Sequence, residues 1–400
     1  MTRPAAKPVA LTLLLGSLAG LAPFALDTYL PAFPEIAASL ATTPSAVQQS
    51  LTSYLAPYAA MMLVHGPISD RYGRRASIIA ALLVFCTGSI GCALAQSIET
   101  FYLWRMVQGI SVGATTVVGR ALIRDLFHGA EAQRQFARVN LMFTLAPIVA
   151  PVVGGYLLTS AGWRSIFGFL LIYPLALALA SWRWLPETLP ATSRTPLAWT
   201  RIPGNVATLA STPSFGVLVT MAAASFCGFF LYILAAPVFA RDFLALQAEQ
   251  FGWLFLATAS GTLLGSWWAD RRADARAPTA TIQVGLLLMG TAACANAGYH
   301  AAFAPSFPWS LLPLTLYCCG NALTVPSATL LILDTSKLPR GATSSLQSFV
   351  QIACSALTSA LIVPFAVRSA AWLALAMLGW WLLAALCWTA YRNAPITSLR

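Results

Sequence analysis

Charge is what this sequence has least of. Only 9% of its 400 residues are Asp, Glu, Lys or Arg, against about 25% in an ordinary soluble domain. With 58% apolar residues, such a chain cannot cover a water-facing surface, so its solvent is lipid. Acids are the scarcer sign, 12 against 23 basic residues. Metal and disulfide patterns are missing too. The eight cysteines (Cys86, Cys92, Cys227, Cys294, Cys318, Cys319, Cys354 and Cys387) fall in apolar runs, with no C-x-x-C pair or histidine cluster. That argues against zinc and disulfides and for buried, inert thiols. No G-x-x-x-x-G-K-[ST] loop is present, so no nucleotide is implied and no cofactor is expected. The chain carries no nucleophile–base constellation, which disfavours an enzyme. No connection is long enough for a soluble signalling domain, which disfavours a sensor.

What is present is a series of apolar runs. Each crossing of a ~30 Å hydrocarbon layer takes about 20 residues, so this length supplies roughly twelve spans. They are expected near 9–33, 46–68, 76–97, 100–122, 139–160, 164–185, 214–238, 250–269, 279–299, 309–333, 342–366 and 369–391. The basic flank and apolar run at the amino terminus raise the question of a signal peptide. The run continues to Asp27 without an A-x-A-like site, so it reads as a first transmembrane helix. With the amino terminus in the cytoplasm, nineteen of the 23 Lys and Arg fall on that side, leaving Arg105, Arg164, Arg241 and Arg368. This positive-inside bias puts both termini in the cytoplasm. The net charge of +11 therefore reports topology; the bilayer is the expected partner and nucleic acid is not.

The longest polar connection, 186–213, separates an amino-terminal bundle (1–185) from a carboxy-terminal one (214–400). Each half repeats a related element after its second span, "GPISDRYGRR" from Gly66 and "GSWWADRRADAR" from Gly265. The expected fold is an all-α membrane protein of 12 transmembrane helices in two pseudo-symmetric six-helix bundles. In such duplicated transporters the substrate site lies near the midplane between the repeats.

Eleven of the acids fall in loops or at span ends, and Asp27 alone lies well inside a span. An intramembrane acid is a functional-site hypothesis by default. Poor solvation disfavours its anion, so its surroundings can switch its protonation. The competing reading is an interfacial cap before Pro31 and Pro34. Asp27, Tyr54 and Arg105 share the non-cytoplasmic half and could share a cavity. Tyr54, Tyr58, Phe143, Phe226, Phe229, Phe230 and Tyr232 are candidates to line an apolar substrate cavity, packing being the competing reading for each. His65 and His300 have no partner in the sequence pattern and read as structural. Arg120, at the opposite end of the fourth span from Arg105, reads as interfacial and receives no functional assignment.

"GPISDRYGRR" resembles the loop signature of the major facilitator superfamily, "RMVQGISVG" its fourth-helix motif, and "APVVGG" the fifth-helix motif of its antiporters. "DTYLPAFP" followed by "SLTSYLAPY" resembles its drug-resistance branch, called Bcr/CflA, which includes chloramphenicol exporters. The resemblance implies a monomeric multidrug exporter of the bacterial inner membrane. It would exchange small, mostly apolar drugs for protons by alternating access. It implies Asp27 as the proton-carrying acid and Arg105 as its modulator. It also implies a conformational latch of Gly66, Asp70, Arg71, Gly73, Arg74 and Arg75 with Asp125, closing on the start of the eleventh helix near Gly341. Pro147, Pro151, Gly154 and Gly155 match the antiporter helix, although Ala150 stands where the family has glycine and an earlier glycine is missing. The alternative on the same fold is a proton-coupled exporter or symporter of one sugar or amino acid, using Gln48, Gln49, Gln108, Asn140, Asn321 and Gln351.

Overall fold

A computed structural model describes residues 8–190, 192, 194, 201–272 and 277–393. Of the charges used above, Arg3, Lys7, Asp274, Arg276 and Arg400 lie outside the described residues. The chain divides into two compact units, Met1–Ile202 and Pro203–Arg400.

The first unit holds α1 (Pro8–Asp27), the short α2 (Phe33–Ser39), α3 (Pro44–Tyr72), α4 (Arg74–Leu94), α5 (Ile98–Leu126), α6 (Gly129–Ala161) and α7 (Trp163–Trp184). The division falls inside α8 (Arg201–Ser211), a helix within the stretch expected to be only a loop. The second unit holds α9 (Pro213–Leu234), the one-turn α10 (Ala236–Val238), α11 (Gly252–Arg272), α12 (Pro278–Ala302), α13 (Leu312–Thr335), α14 (Arg340–Leu357), α15 (Val363–Ala366) and α16 (Ala370–Asn393).

Local chemistry explains where these helices begin and end. Thr43 caps α3 by accepting a hydrogen bond from Ala46 N, with Pro44 in the first turn; Ser97 and Thr100 form a reciprocal capping box at α5. Gly73, at φ +97°, is the single residue separating α3 from α4, a backbone conformation that side chains resist. Within each unit the packing scheme repeats. In the first, α3 packs on α5, α5 on α4, α4 on α7, and α1 on α6 and α5. In the second, α11 packs on α13, α13 on α12, α12 on α16, and α9 on α14 and α13.

Twelve of the described helices are 18 residues or longer, at the twelve expected positions. Ten are both long and apolar enough to cross a membrane. The other two are α3 and α11. Helix α3 misses on average apolarity because it carries polar groups turned into the protein, burying Gln48, Ser50, Tyr54, Tyr58, His65 and Ser69.

The first span also departs from a plain helix. Helix α1 stops at Asp27, a turn over Leu30–Ala32 follows, and α2 resumes from Phe33. Pro31 and Pro34 lack N–H donors and suit the first turns of these short pieces. The apolar segment nevertheless runs continuously over Val9–Ser39. Asp27 is therefore both at a helix end and inside a span, which joins the two readings of the sequence.

Candidate functional site

The break after α1 frees carbonyl groups that a continuous helix would use. Thr28 takes one, bonding Phe24 O through both its N–H and its hydroxyl. Arg105, on α5, takes another: its Nη1 donates to Ala25 O at 3.1 Å. A cation at a helix carboxyl end is favoured by the helix dipole. The guanidinium lies between two aromatic faces, 4.4 Å from the Tyr29 ring centre and 4.5 Å from that of Tyr54. Arg105 is wholly buried, so it does not snorkel to the membrane surface.

The same nitrogen makes a second hydrogen bond within α5. Arg105 Nη1 donates to Gln108 Oε1 at 2.6 Å, Gln108 Nε2 donates to Ser89 Oγ at 2.9 Å, and Ser89 Oγ reaches Leu170 O on α7 at 2.8 Å. A polar chain thus ties α1, α5, α4 and α7 together at one depth. Gly109 makes it possible on the α3 side, since a Cβ there would overlap the Tyr54 carbonyl.

Asp27 sits beside this cluster with 2% of its surface exposed, and it is the only buried acid among the described residues. Its Oδ1 has no hydrogen-bond partner, and it makes no ion pair with Arg105. Arg105 in turn has Nε and Nη2 unpaired. Tyr54 lies within electrostatic reach of both groups and donates a long 3.3 Å bond to Ala22 O. Tyr54 is thus the group that faces both Asp27 and Arg105. Tyr58 is adjacent, its ring centre 6.0 Å from that of Tyr54 and its hydroxyl 3.3 Å from Thr116 Oγ1.

The antiporter-motif helix presses on the same spot. A Cβ on Gly154 would stand 2.7 Å from the carbonyl carbon of Thr28 and closer still to its oxygen. Helix α6 carries Pro147, Pro151, Gly154 and Gly155 and packs along α1 and the Leu30–Ala32 turn.

The remaining cavity candidates are dispersed. Phe143 is 40% exposed and apart from this cluster's aromatic contacts. Phe226, Phe229 and Phe230 form a half-buried ring cluster of their own on α9. Tyr232 is buried and held by Asn296 Nδ2 at 2.6 Å, a packing role. His65 does have a partner, Ile110 O at 2.8 Å. His300 has none on either ring nitrogen and packs edge-on against Tyr299.

The loop signature forms a second cluster. Arg74, its side chain 12% exposed, pairs with Asp70 at 2.5 Å and with Asp125 at 3.2 Å, and donates to Ser69 Oγ at 2.5 Å. Gly66 packs near Val117; Arg71 points outward. Sequence reasoning missed Glu187. Its two carboxylate oxygens accept from the backbone N–H groups of Arg74 (2.8 Å) and Arg75 (3.2 Å) at the start of α4, an anion on a helix amino terminus. Thr188 adds a 2.9 Å bond to Asp125, and Arg75 reaches Trp182 O. The signal available was the acid in "LPETL" itself, whose partner is 113 positions away.

Known proteins supply the family. Residues 15–363 match the Major Facilitator Superfamily. The chain belongs to that superfamily. Its members are transporters rather than enzymes, and the chain is a multi-pass membrane protein. It is 36% identical over 262 residues to the uncharacterized MFS-type transporter YdgK of Bacillus subtilis (64% of this chain, 65% of that protein). It is 32% identical over 259 residues to the bicyclomycin resistance protein homolog of Haemophilus influenzae (65% of each). The matches thus span 65% of the length of these two relatives. Multidrug resistance protein D of Escherichia coli matches at 27% identity over 96% of this chain and 95% of its own. Among solved structures, the D-xylose-proton symporter shares the fold, with a TM-score of 0.74 at 17% identity over 97% of each chain.

Proposed function

We propose that this superfamily member is a secondary active multidrug exporter that exchanges small, mostly apolar drugs for protons. The observation that carries the reading is Asp27: one buried acid, unpaired at Oδ1, at the break of the first span beside a cation with two idle N–H donors. An ionised carboxylate left alone there would cost several kcal/mol, so the arrangement suits the neutral acid. On losing its proton, Asp27 would draw the free Nε and Nη2 donors of Arg105 toward it. That movement would disturb the guanidinium's hold on Ala25 O and on the rings of Tyr29 and Tyr54. Proton occupancy would thereby set the shape of the break, and with it the side from which a drug can enter.

The drug-resistance names of the Haemophilus and Escherichia relatives support this substrate class. Alternating access, with the membrane-embedded site opened to one side at a time, is the corresponding mechanism. The cluster at Asp70, Arg74, Asp125 and Glu187 would act as the latch between states. The protein would sit in a bacterial inner membrane with both termini in the cytoplasm and work as a monomer, with the proton gradient in place of any cofactor.

Everted membrane vesicles test the reading. Chloramphenicol added to energised wild-type vesicles should release protons as it is taken up, and Asp27→Asn should abolish that release while the protein remains folded. Undiminished drug-driven proton release in Asp27→Asn would remove Asp27 as the carrier. Release evoked by a sugar or amino acid but by no drug would instead establish the metabolite transporter.

A further inference from the structure

Arg120 is a charge that neither cluster uses. It lies on α5, six residues or about 9 Å before the helix ends. Its side chain is exposed. It pairs with no carboxylate and donates to no carbonyl among the described residues. The groups that act on it are Tyr58 and Arg124, a phenol and a second cation. An unpaired cation inside a span faces a protein interior or a water-filled space rather than lipid.

The helix face decides which. At about 100° per residue, Arg120 stands within about 20° of both Gly109 and Gly113. Those glycines are the positions where α5 presses on α3, against Tyr54, Pro57, His65 and Tyr58. Thr116, one turn before Arg120, reaches the Tyr58 hydroxyl. Arg120 therefore continues the α3-facing side of α5, yet it is exposed where the residues above it are packed. Below the Tyr58–Thr116 contact this face is no longer covered, and Arg120 is exposed there with Tyr58 in electrostatic reach.

We propose that Arg120, with the hydroxyls of Tyr58 and Thr116, forms a substrate subsite for planar two-oxygen groups, carboxylate or nitro, and selects against permanently cationic drugs. A guanidinium offers parallel N–H donors that match such a group, which an ammonium cannot do. The two hydroxyls supply further hydrogen bonds one turn away. A cationic drug would meet the Arg120 guanidinium, which no carboxylate pairs among the described residues. The subsite rests on the export reading above and names the chemistry that export favours.

Uptake by everted vesicles of the full chain tests it, with nalidixate as the carboxylate probe, chloramphenicol as the nitro probe and tetraphenylphosphonium as the cation. Wild type should take up the first two and not the third. Arg120→Gln should raise the half-saturating concentration of nalidixate by about tenfold or more, the scale of losing a charge-assisted hydrogen bond. Arg120→Glu should admit tetraphenylphosphonium. Uptake of nalidixate and chloramphenicol that is indifferent to residue 120 overturns the subsite. Wild-type vesicles that take up none of the three overturn the export reading, a distinguishable result. An independent measurement covers variants that fail to fold. In Arg120→Cys, labelling by a charged, water-borne methanethiosulfonate above the wild-type background should be slowed by nalidixate, and labelling that nalidixate does not slow refutes the subsite.

Discussion

Gly154→Ala is the sharpest mechanical test of the site. The added Cβ would lie 2.7 Å from the Thr28 carbonyl carbon, whereas carbon atoms in contact settle at about 3.5–4.0 Å. One backbone must retreat by roughly 1 Å, and neither has a side chain that can rotate away. Overpacking of this kind costs about 1–3 kcal/mol, while replacing a helical glycine by alanine returns about 0.5–1 kcal/mol. Because the overlap is with backbone, including the carbonyl oxygen, the upper half of that cost applies, and the net expectation is a loss of about 1–2.5 kcal/mol. Gly168→Ala is the control, because nothing lies within 4 Å of a Cβ there, so only the helix gain remains. The two substitutions are chemically identical and should move thermal unfolding in opposite directions. Tryptophan fluorescence during a melt in detergent reads this directly, since the chain has 13 tryptophans. Thr28 adjoins Asp27, so Gly154→Ala should also depress drug-driven proton release while Gly168→Ala does not. Equal melting shifts of the same sign would show that α6 does not press on the break, and the geometric account of the antiporter motif would fail.

Arg105→Lys should destabilise the protein by about 2–4 kcal/mol, because an ammonium cannot stack on two rings while bonding Ala25 O and Gln108; a melt within a degree of wild type would contradict the sandwich. Tyr54→Phe keeps the ring face and loses one long hydrogen bond, so it should cost under about 1 kcal/mol, whereas Tyr54→Leu should cost more in the same assay. Glu187→Gln removes the anion from the start of α4 and should cost about 0.5–1 kcal/mol at low salt, shrinking as salt screens this exposed group; a salt-independent loss would point to packing instead.

Helix positions were legible because lipid imposes a length on every apolar run, and the twelve long helices fall where the runs do. Asp27 was legible for the same reason, since an acid in such a run is conspicuous. What the sequence left ambiguous was the state of the helix around it. Pro31 and Pro34 mark the break, but the packing of α6 against that turn is a contact between residues more than a hundred positions apart. Arg105 was found as a candidate without its partners. The sequence offered a cavity shared with Asp27 and Tyr54, but not that the helix end frees Ala25 O or that the aromatic faces of Tyr29 and Tyr54 hold the guanidinium. Glu187 was hidden because a loop acid has no periodicity to announce which helix amino terminus it will cap. Among the aromatic candidates, Tyr232 is committed to Asn296, a packing role that no spacing rule reveals.

The internal repeat separates scaffold from chemistry. "LPAF" at Leu30–Phe33 has a counterpart in "APVF" at Ala236–Phe239, and both follow the end of the first long helix of a unit. A proline-marked break is thus built twice. Counting back four residues from each proline gives Asp27 in the first unit and Ile233, buried and apolar, in the second. The position of Tyr29 is taken by Ala235, so the second break also lacks one of the rings that hold the guanidinium. The repeat therefore carries the break in both units and the buried acid at this position in only the first. A break without an acid can bend but cannot answer to a proton, so if the break alone drove transport, the second unit would carry the coupling as well as the first. Placing an acid at Ile233 in an Asp27→Asn background separates the two roles. Restored proton release would show that any break of this kind suffices, and continued silence would show that the acid works only with Arg105 and its two tyrosines beside it.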